Sequence, residues 1–402
     1  MTPTAATKNE NLPSTAILAL SFASFGSAMS MRIADAMLVR LASEFELALG
    51  AVSIVITVFG VVYGIAQLLF GPLGDRYGKY RVVSLACVAC SFTSLLCALA
   101  PDFAMLIAAR ALAGATCAAL IPLSMAWIGD VVSYENRQAV LARFMIGHIL
   151  GLSTGIMLGG VSADYLNWRF PFLLISAWFL LTGLYLIRMS GSLPEHAKQV
   201  HKVQGHPIAR MLSEFARVVE VPWARTVLVT VLLEGGLVYG ALAFIPTHLH
   251  NVHGMSLAAA GSLVMLFGFG GFAFAIRSRQ MVKSLGEVGL IRYGALLMTL
   301  SMAIIGYTPW WWIAIPGAFL FGLGFYMMHN TLQINATQMA PQRRGAAVAA
   351  FASCFFFGQA GGVAMAGSLL TVVGTSPLIA GSGLGILWVG GRFARLRAAK
   401  AD

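Results

Sequence analysis

Gly71-Pro72-Leu73-Gly74-Asp75-Arg76-Tyr77-Gly78-Lys79-Tyr80-Arg81-Val82-Val83 is the stretch whose reading decides the fold. It lies between two long apolar runs, near 49–70 and 82–100. Its charges cannot lie in lipid, so they end two membrane helices at one face. Gly71, Pro72, Gly74 and Gly78 predict a tight reversal between those helices.

Outward from this stretch the chain repeats one theme. Apolar runs near 14–38, 49–70, 82–100, 103–129, 138–163 and 168–189 make six spans. A polar stretch, 190–222, follows, and then runs near 223–246, 256–277, 287–308, 310–337, 345–371 and 374–391. Each approaches or exceeds the roughly 20 residues that cross a bilayer, the last being short and rich in glycine. Only helices satisfy their own backbone in lipid over such lengths. Hydrophobic residues are 58% of the chain and charged residues 10%, against about 25% charged in a soluble domain. The composition therefore specifies an all-α, polytopic membrane protein. No cleavable signal peptide is expected, because only Lys8 precedes the first run and that run is too long.

Twelve spans put both ends on one side. That side then receives 22 of the 26 Lys and Arg, the others being Arg32, Arg40, Arg110 and Arg169. The positive-inside rule places both termini and the linker in the cytoplasm of a plasma membrane, a bacterial inner membrane being the natural host. The net charge of +11 is thus read as topology, with no nucleic-acid partner. The two halves repeat at a constant offset of 208 residues: Phe59-Gly60 with Phe267-Gly268, Gly78 with Gly286, Gly114 with Gly322, and Gly159 with Gly367. The expected domains are a six-helix bundle over 1–189, a cytoplasmic linker over 190–222 and a second bundle over 223–402. Asp75 corresponds to Lys283 and Lys79 to Glu287, so one half alone is expected to keep the charged latch. Ala209, Leu212, Phe215, Ala216 and Val219 at helical spacing predict a short amphipathic helix in the linker.

Gly71, Leu73, Asp75, Arg76, Gly78 and Lys79 fall in register with the loop signature Gly-x-Leu-x-Asp-Arg-x-Gly-Arg-Lys. The stretch therefore resembles the loop after the second helix of the major facilitator superfamily, with Tyr80 departing and Arg81 supplying its charge one place later. Arg110 and Gly114 resemble the Arg-x-x-x-Gly signature of that family's fourth helix, with Ala113 for the common Gln. Gly151, Gly155, Gly159 and Gly160 match the glycines of the antiporter signature Gly-x-x-x-Gly-Pro-x-x-Gly-Gly, with Ile156 in place of Pro. Asp35 to Leu41 resembles the Asp-x-x-Leu-Pro-x-Leu end of the first helix of drug:proton antiporters, with Val39 for Pro. The resemblance implies two pseudo-symmetric six-helix bundles that rock to give alternating access. It implies a small organic solute exchanged for protons, and an Asp75 seated beside the N-terminus of the eleventh helix as a latch. Family analogy also makes a monomer the expectation.

A charge inside a span is costly enough to mark a functional candidate. Arg32 and Asp35, three apart, share a helix face; they are either a solvated local pair or a carboxylate that alternates between proton and substrate. Glu234 lies about eleven residues into span seven, near mid-depth. A carboxylate that changes protonation near neutral pH is what proton coupling requires. Arg110 either faces Asp35 across a cavity or snorkels to the far headgroups. His329 and Gln333, four apart, share a face of span ten with Asn330 beside them, and Asn335 follows. Gln67, His148 and Gln359 are further polar groups within spans. With Tyr239, Trp127 and Phe355-Phe356-Phe357 they suggest an amphipathic cavity. For each alone, an interhelical hydrogen bond is the plainer reading. The glycines of span five, four apart, are also a general packing device.

Other classes find less support. Cys87-x-x-Cys90 lacks a second pair and reads as small packing residues. His248, His250 and His253 fall on an outer loop at 247–255, and His196, His201 and His206 along the linker. Neither group shows converging ligands. No nucleotide loop, triad spacing or zinc motif is present, so no cofactor, metal or enzymatic activity is expected. The reading is a proton-coupled exporter of a drug or metabolite. A proton-coupled importer is the alternative, favoured by Ile156, and a non-transporting sensor would have no need of Asp35 and Glu234.

Overall fold

The computed structural model describes residues 14–191, 193 and 207–400, excepting the side chains of 134, 135, 138 and 207–212. The described residues form an all-helical membrane protein. Ten helices are long and apolar enough to cross a bilayer. One of these, Leu257–Tyr307, is two spans, because Gly286 breaks it with φ 62° and ψ 178°. Thr375–Ala398 completes the expected twelve; at 24 residues it is longer than its apolar run suggests. In chain order the spans are Ser14–Glu44, Leu49–Tyr77, Lys79–Leu99, Phe103–Val131, Tyr134–Tyr165 and Phe170–Ser190. The second half has Pro222–His253, the two parts of Leu257–Tyr307, Trp311–Gln338, Pro341–Val373 and Thr375–Ala398. Residue 14 and Ala398 lie at one face, here the terminal face; the opposite one is the far face.

The reversal at 71–83 is tighter than the sequence predicts. Helix continues through Gly71, Pro72 and Gly74 to Tyr77, and Gly78 alone breaks it, at φ 90°. In lipid an unsatisfied backbone group is costly, so the helix persists until a residue free to take positive φ ends it. Gly286, the partner of Gly78 at offset 208, breaks the second half in the same way. The halves share a second detail. Gly114 lies against the carbonyl of Phe59, and Gly322 against that of Phe267. These are offset partners in both members, and a Cβ at either glycine would collide with the carbonyl.

Span five packs on span one through a ladder. Gly147, Gly151, Gly155 and Gly159 meet the carbonyls of Ser21, Phe25, Met29 and Ile33 in turn. A Cβ on Gly155 would come within 2.6 Å of the Met29 oxygen. Gly160, rotated by about 100° from Gly159, turns instead to the backbone of Leu257 in the second half. Spans seven and eleven use the same device, with Gly235 and Gly240 set against the carbonyls of Phe355 and Gly362.

Two expectations need correction. The stretch around His248, read as a loop, is helix from Ile245 to His253. Pro246 suits the first turn of a helix, and Gly254 closes it at φ 63°. His248 is buried, its ring nitrogens on the Thr375 hydroxyl (2.8 Å) and the Ile305 carbonyl (3.0 Å). The linker does hold a helix, Pro207–Glu220. Its buried side chain is Val218, with Phe215 partly covered, whereas Ala216 and Val219 are exposed. It packs on spans two and eleven, where Glu214 pairs with Arg343 at 2.7 Å. Ala209 and Leu212 lie among the side chains outside the described set, as do His196, His201 and His206.

Candidate functional site

The glycine pair after Glu234 builds the site. Gly235 and Gly236 let span eleven approach span seven backbone to backbone. That approach brings Phe355 beside Glu234. Span ten then supplies His329, whose Nδ1 lies 2.8 Å from Glu234 Oε2. Phe325 stacks on the imidazole at 5.0 Å, with Phe355 at 4.5 Å and Phe351 at 5.5 Å between ring centroids. Glu234 is fully buried and its Oε1 has no hydrogen-bond partner among the described residues. The His329 side chain is 16% exposed, Asn330 is half-buried, and Gln333, one turn on and on the same face, is exposed. Polar groups thus step from a sealed carboxylate toward the terminal face.

A second charged pair faces the first from the other half. Span one stops being α-helical at Arg32 and resumes as a short 3-10 turn at Asp35. Arg32 and Asp35 form an ion pair across that break, both buried. The Arg32 guanidinium sits 4.7 Å over the ring of Tyr239, a residue of span seven. A small cavity of about 10 Å³ between Arg32, Ser153, Ile156 and Tyr239 has room for about one water.

The remaining predicted residues are distributed around this centre. Arg110 is buried and fixed: its Nε donates to the Val55 carbonyl (3.1 Å), Nη1 to that of Ser30 (2.8 Å), and its guanidinium covers Phe59 at 4.2 Å. It ties span four to spans one and two. Gln67 and Gln359 are buried on spans two and eleven. Those spans touch where Gly60 meets Ala360 and Gly64 meets Phe356 and Phe357. His148 is half-buried, its Nδ1 without a partner among the described residues. Asn335 turns away to Glu287, at 3.1 Å.

The far face is closed. Asp164, at the end of span five, accepts the N–H of Ala258 at the start of span eight (2.6 Å). Ser153 donates to Met265 (3.3 Å) and Ser353 to Gly64 (3.1 Å), while Gly50 packs on Gly367. These links run from the far face to mid-depth. At the terminal face, Asp75 is 43% exposed and paired loosely with Lys79 (3.7 Å), not with the start of span eleven. Lys79 instead bonds Asp130 at 2.6 Å. Glu287, the offset partner of Lys79, accepts from Arg397 at 2.9 Å. The two contacts are not repeat mates, since Asp130 maps onto Gln338 while Arg397 belongs to span twelve. Sequence reading missed Asp130, Asp164 and Arg397 as partners. Asp164 ends one helix and meets the start of another far away in sequence, so nothing local pointed to it.

Known proteins resemble all or part of this chain. A Bacillus subtilis (strain 168) protein described as the uncharacterized MFS-type transporter YwfA is 23% identical over 330 residues, 82% of this chain and 79% of that one. Citrate exporter 1 of Aspergillus niger is 27% identical over 183 residues, 45% of this chain and 34% of the exporter. The crystal structure of the nucleoside transporter NupG superposes with a TM-score of 0.76 over 94% of this chain and 98% of that one, at 13% identity. The family model for the Major Facilitator Superfamily matches residues 20–363. The chain belongs to the Major Facilitator Superfamily and is a transporter of small solutes.

Proposed function

We propose that this transporter is a proton-coupled exporter of a small organic solute, working by alternating access between 1–189 and 223–402 with 190–222 as the tether. The single observation that carries the reading is the contact of Glu234 with His329, a carboxylate and an imidazole 2.8 Å apart at the base of a polar path. One proton moved along that contact converts an ion pair into two neutral groups, and one proton added leaves a net positive charge. Glu234 is the proton carrier, loaded through His329. Asp35, held by Arg32 and near Arg110, gates the far side and positions substrate. Gln67, His148, Tyr239, Asn330, Gln333 and Gln359 face the solute in other steps of the cycle. Asp75, with Gly71, Arg76, Gly78 and Lys79, forms the gating loop, whose latch engages span eleven once the terminal face closes. The segregation of bases supports a cytoplasmic terminal face in a plasma membrane. The arrangement described above is then shut to the outside.

Import by symport is the second reading, and Ile156 in the place of the antiporter Pro favours it. Purified protein in proteoliposomes, screened against organic solutes under pH gradients of either sign, separates the two. Solute moving against the proton flow supports export, and solute moving with it supports import. Flux indifferent to the gradient overturns the coupling.

A further inference from the structure

Spans seven and twelve leave a groove of about 390 Å³ on the outside of the second half. Arg225, Arg392 and Leu396 stand at its terminal-face end, and Val229, Leu233 and Trp388 line its deeper length. Val229 is 58% and Trp388 61% exposed, so this surface faces away from the protein core. Leu233 is eleven residues from Pro222, hence about 16 Å along the helix. That is close to half of the roughly 30 Å hydrocarbon core. The groove therefore spans one leaflet, charged at headgroup level and apolar at the midplane.

Both arginines are exposed, and neither has a carboxylate within ion-pair distance among the described residues. Arg392 lies over the Trp388 ring at 5.6 Å, which leaves the in-plane N–H donors of its guanidinium free. Lys400, 4.5 Å over Trp223, adds positive charge at the same end. The wall below is apolar in effect, since the hydroxyls of Thr226 and Thr230 are bonded to carbonyls of their own helix. A free anion matches the arginines and leaves the groove empty. A zwitterionic lipid fills the groove, but its headgroup carries its own cation to the arginines.

We infer that this groove holds an anionic phospholipid, its phosphate between Arg225 and Arg392 and one acyl chain along Val229, Leu233 and Trp388. Native mass spectrometry of the full chain tests this, with phosphatidylglycerol, phosphatidylcholine or inorganic phosphate added at matched ionic strength. The protein should retain phosphatidylglycerol where phosphatidylcholine is lost. The double variant Arg225→Gln with Arg392→Gln should weaken that retention about tenfold. Arg188→Gln, an exposed terminal-face arginine outside the groove, should leave it unchanged. Leu233→Trp, which fills the apolar end, should also lower retention, and it decides the matter should the double variant fold poorly. Equal retention of the two lipids would overturn the assignment. So would equal loss in Arg188→Gln, full displacement by inorganic phosphate, or a second copy of the chain occupying the groove.

Discussion

The two buried charge pairs differ in one chemical respect. Arg32 with Asp35, in the first half, is a pair whose cation does not give up its proton in a protein. Glu234 with His329, in the second, joins a carboxyl group and an imidazole, between which a proton can pass. The first is buried, at 2% and 1% exposure, against a cavity for about one water. The second has one fully buried member and one that reaches an exposed polar face. A fixed cation is thus locked into a helix break at the contact of the halves, whereas the second pair holds no fixed charge and lies beside half-buried Asn330. Burial is common to both pairs, so what separates them is the partner's ability to change charge.

Three substitutions break or sharpen the contrast. Asp35→Asn should be the most damaging to the fold, since it strands Arg32 beside the equally buried Arg110. Removing one member of a buried pair costs about 3–5 kcal/mol, whereas apolar replacement of both is often neutral. Denaturant unfolding in detergent should therefore show a large loss for Asp35→Asn and recovery of most of it in Arg32→Met with Asp35→Leu. Wild-type stability for Asp35→Asn would remove the structural role of the pair. Asp164→Ala should come next. It deletes a helix-cap contact over the far face, worth about 0.5–2 kcal/mol. Labelling of a cysteine placed at Ser153 should quicken from the far side, and an unchanged rate would mean that the glycine contacts alone hold that face shut. Glu234→Gln should have the smallest stability effect, about 1 kcal/mol or less, because its neutral amide still bonds a neutral imidazole. A loss as large as that of Asp35→Asn would erase the distinction.

The sequence read as a membrane fold because its charges have few places to go. Charge at 75–81 had to mark a membrane face, yet the reversal there narrowed to Gly78, since backbone satisfaction in lipid extends a helix past Pro72. The offset of 208 was legible in Gly78 and Gly286, and the structure gives it content in their matching breaks. Glu234 stood out as an acid in an apolar run. Its partner did not, because His329 is 95 residues away and only the packing of spans seven, ten and eleven joins them. Lys79 with Asp130 and Glu287 with Arg397 were hidden for the same reason. Gly160 was grouped with Gly151, Gly155 and Gly159 by spacing, but its place one residue past the ladder turns it to the other half. Helical continuity through Ile245–His253 was masked by polar histidines, of which His248 is held by tertiary hydrogen bonds.

The central claim is that the Glu234–His329 contact carries the proton. Its most direct test compares two modes of transport in Glu234→Gln proteoliposomes, using a substrate identified with the unaltered protein. Solute exchange at zero gradient should remain measurable, because the cavity keeps its shape and its hydrogen bond. Accumulation driven by an imposed pH gradient should vanish. Undiminished gradient-driven accumulation by Glu234→Gln would contradict the account and move the proton to Asp35 or to His329 alone.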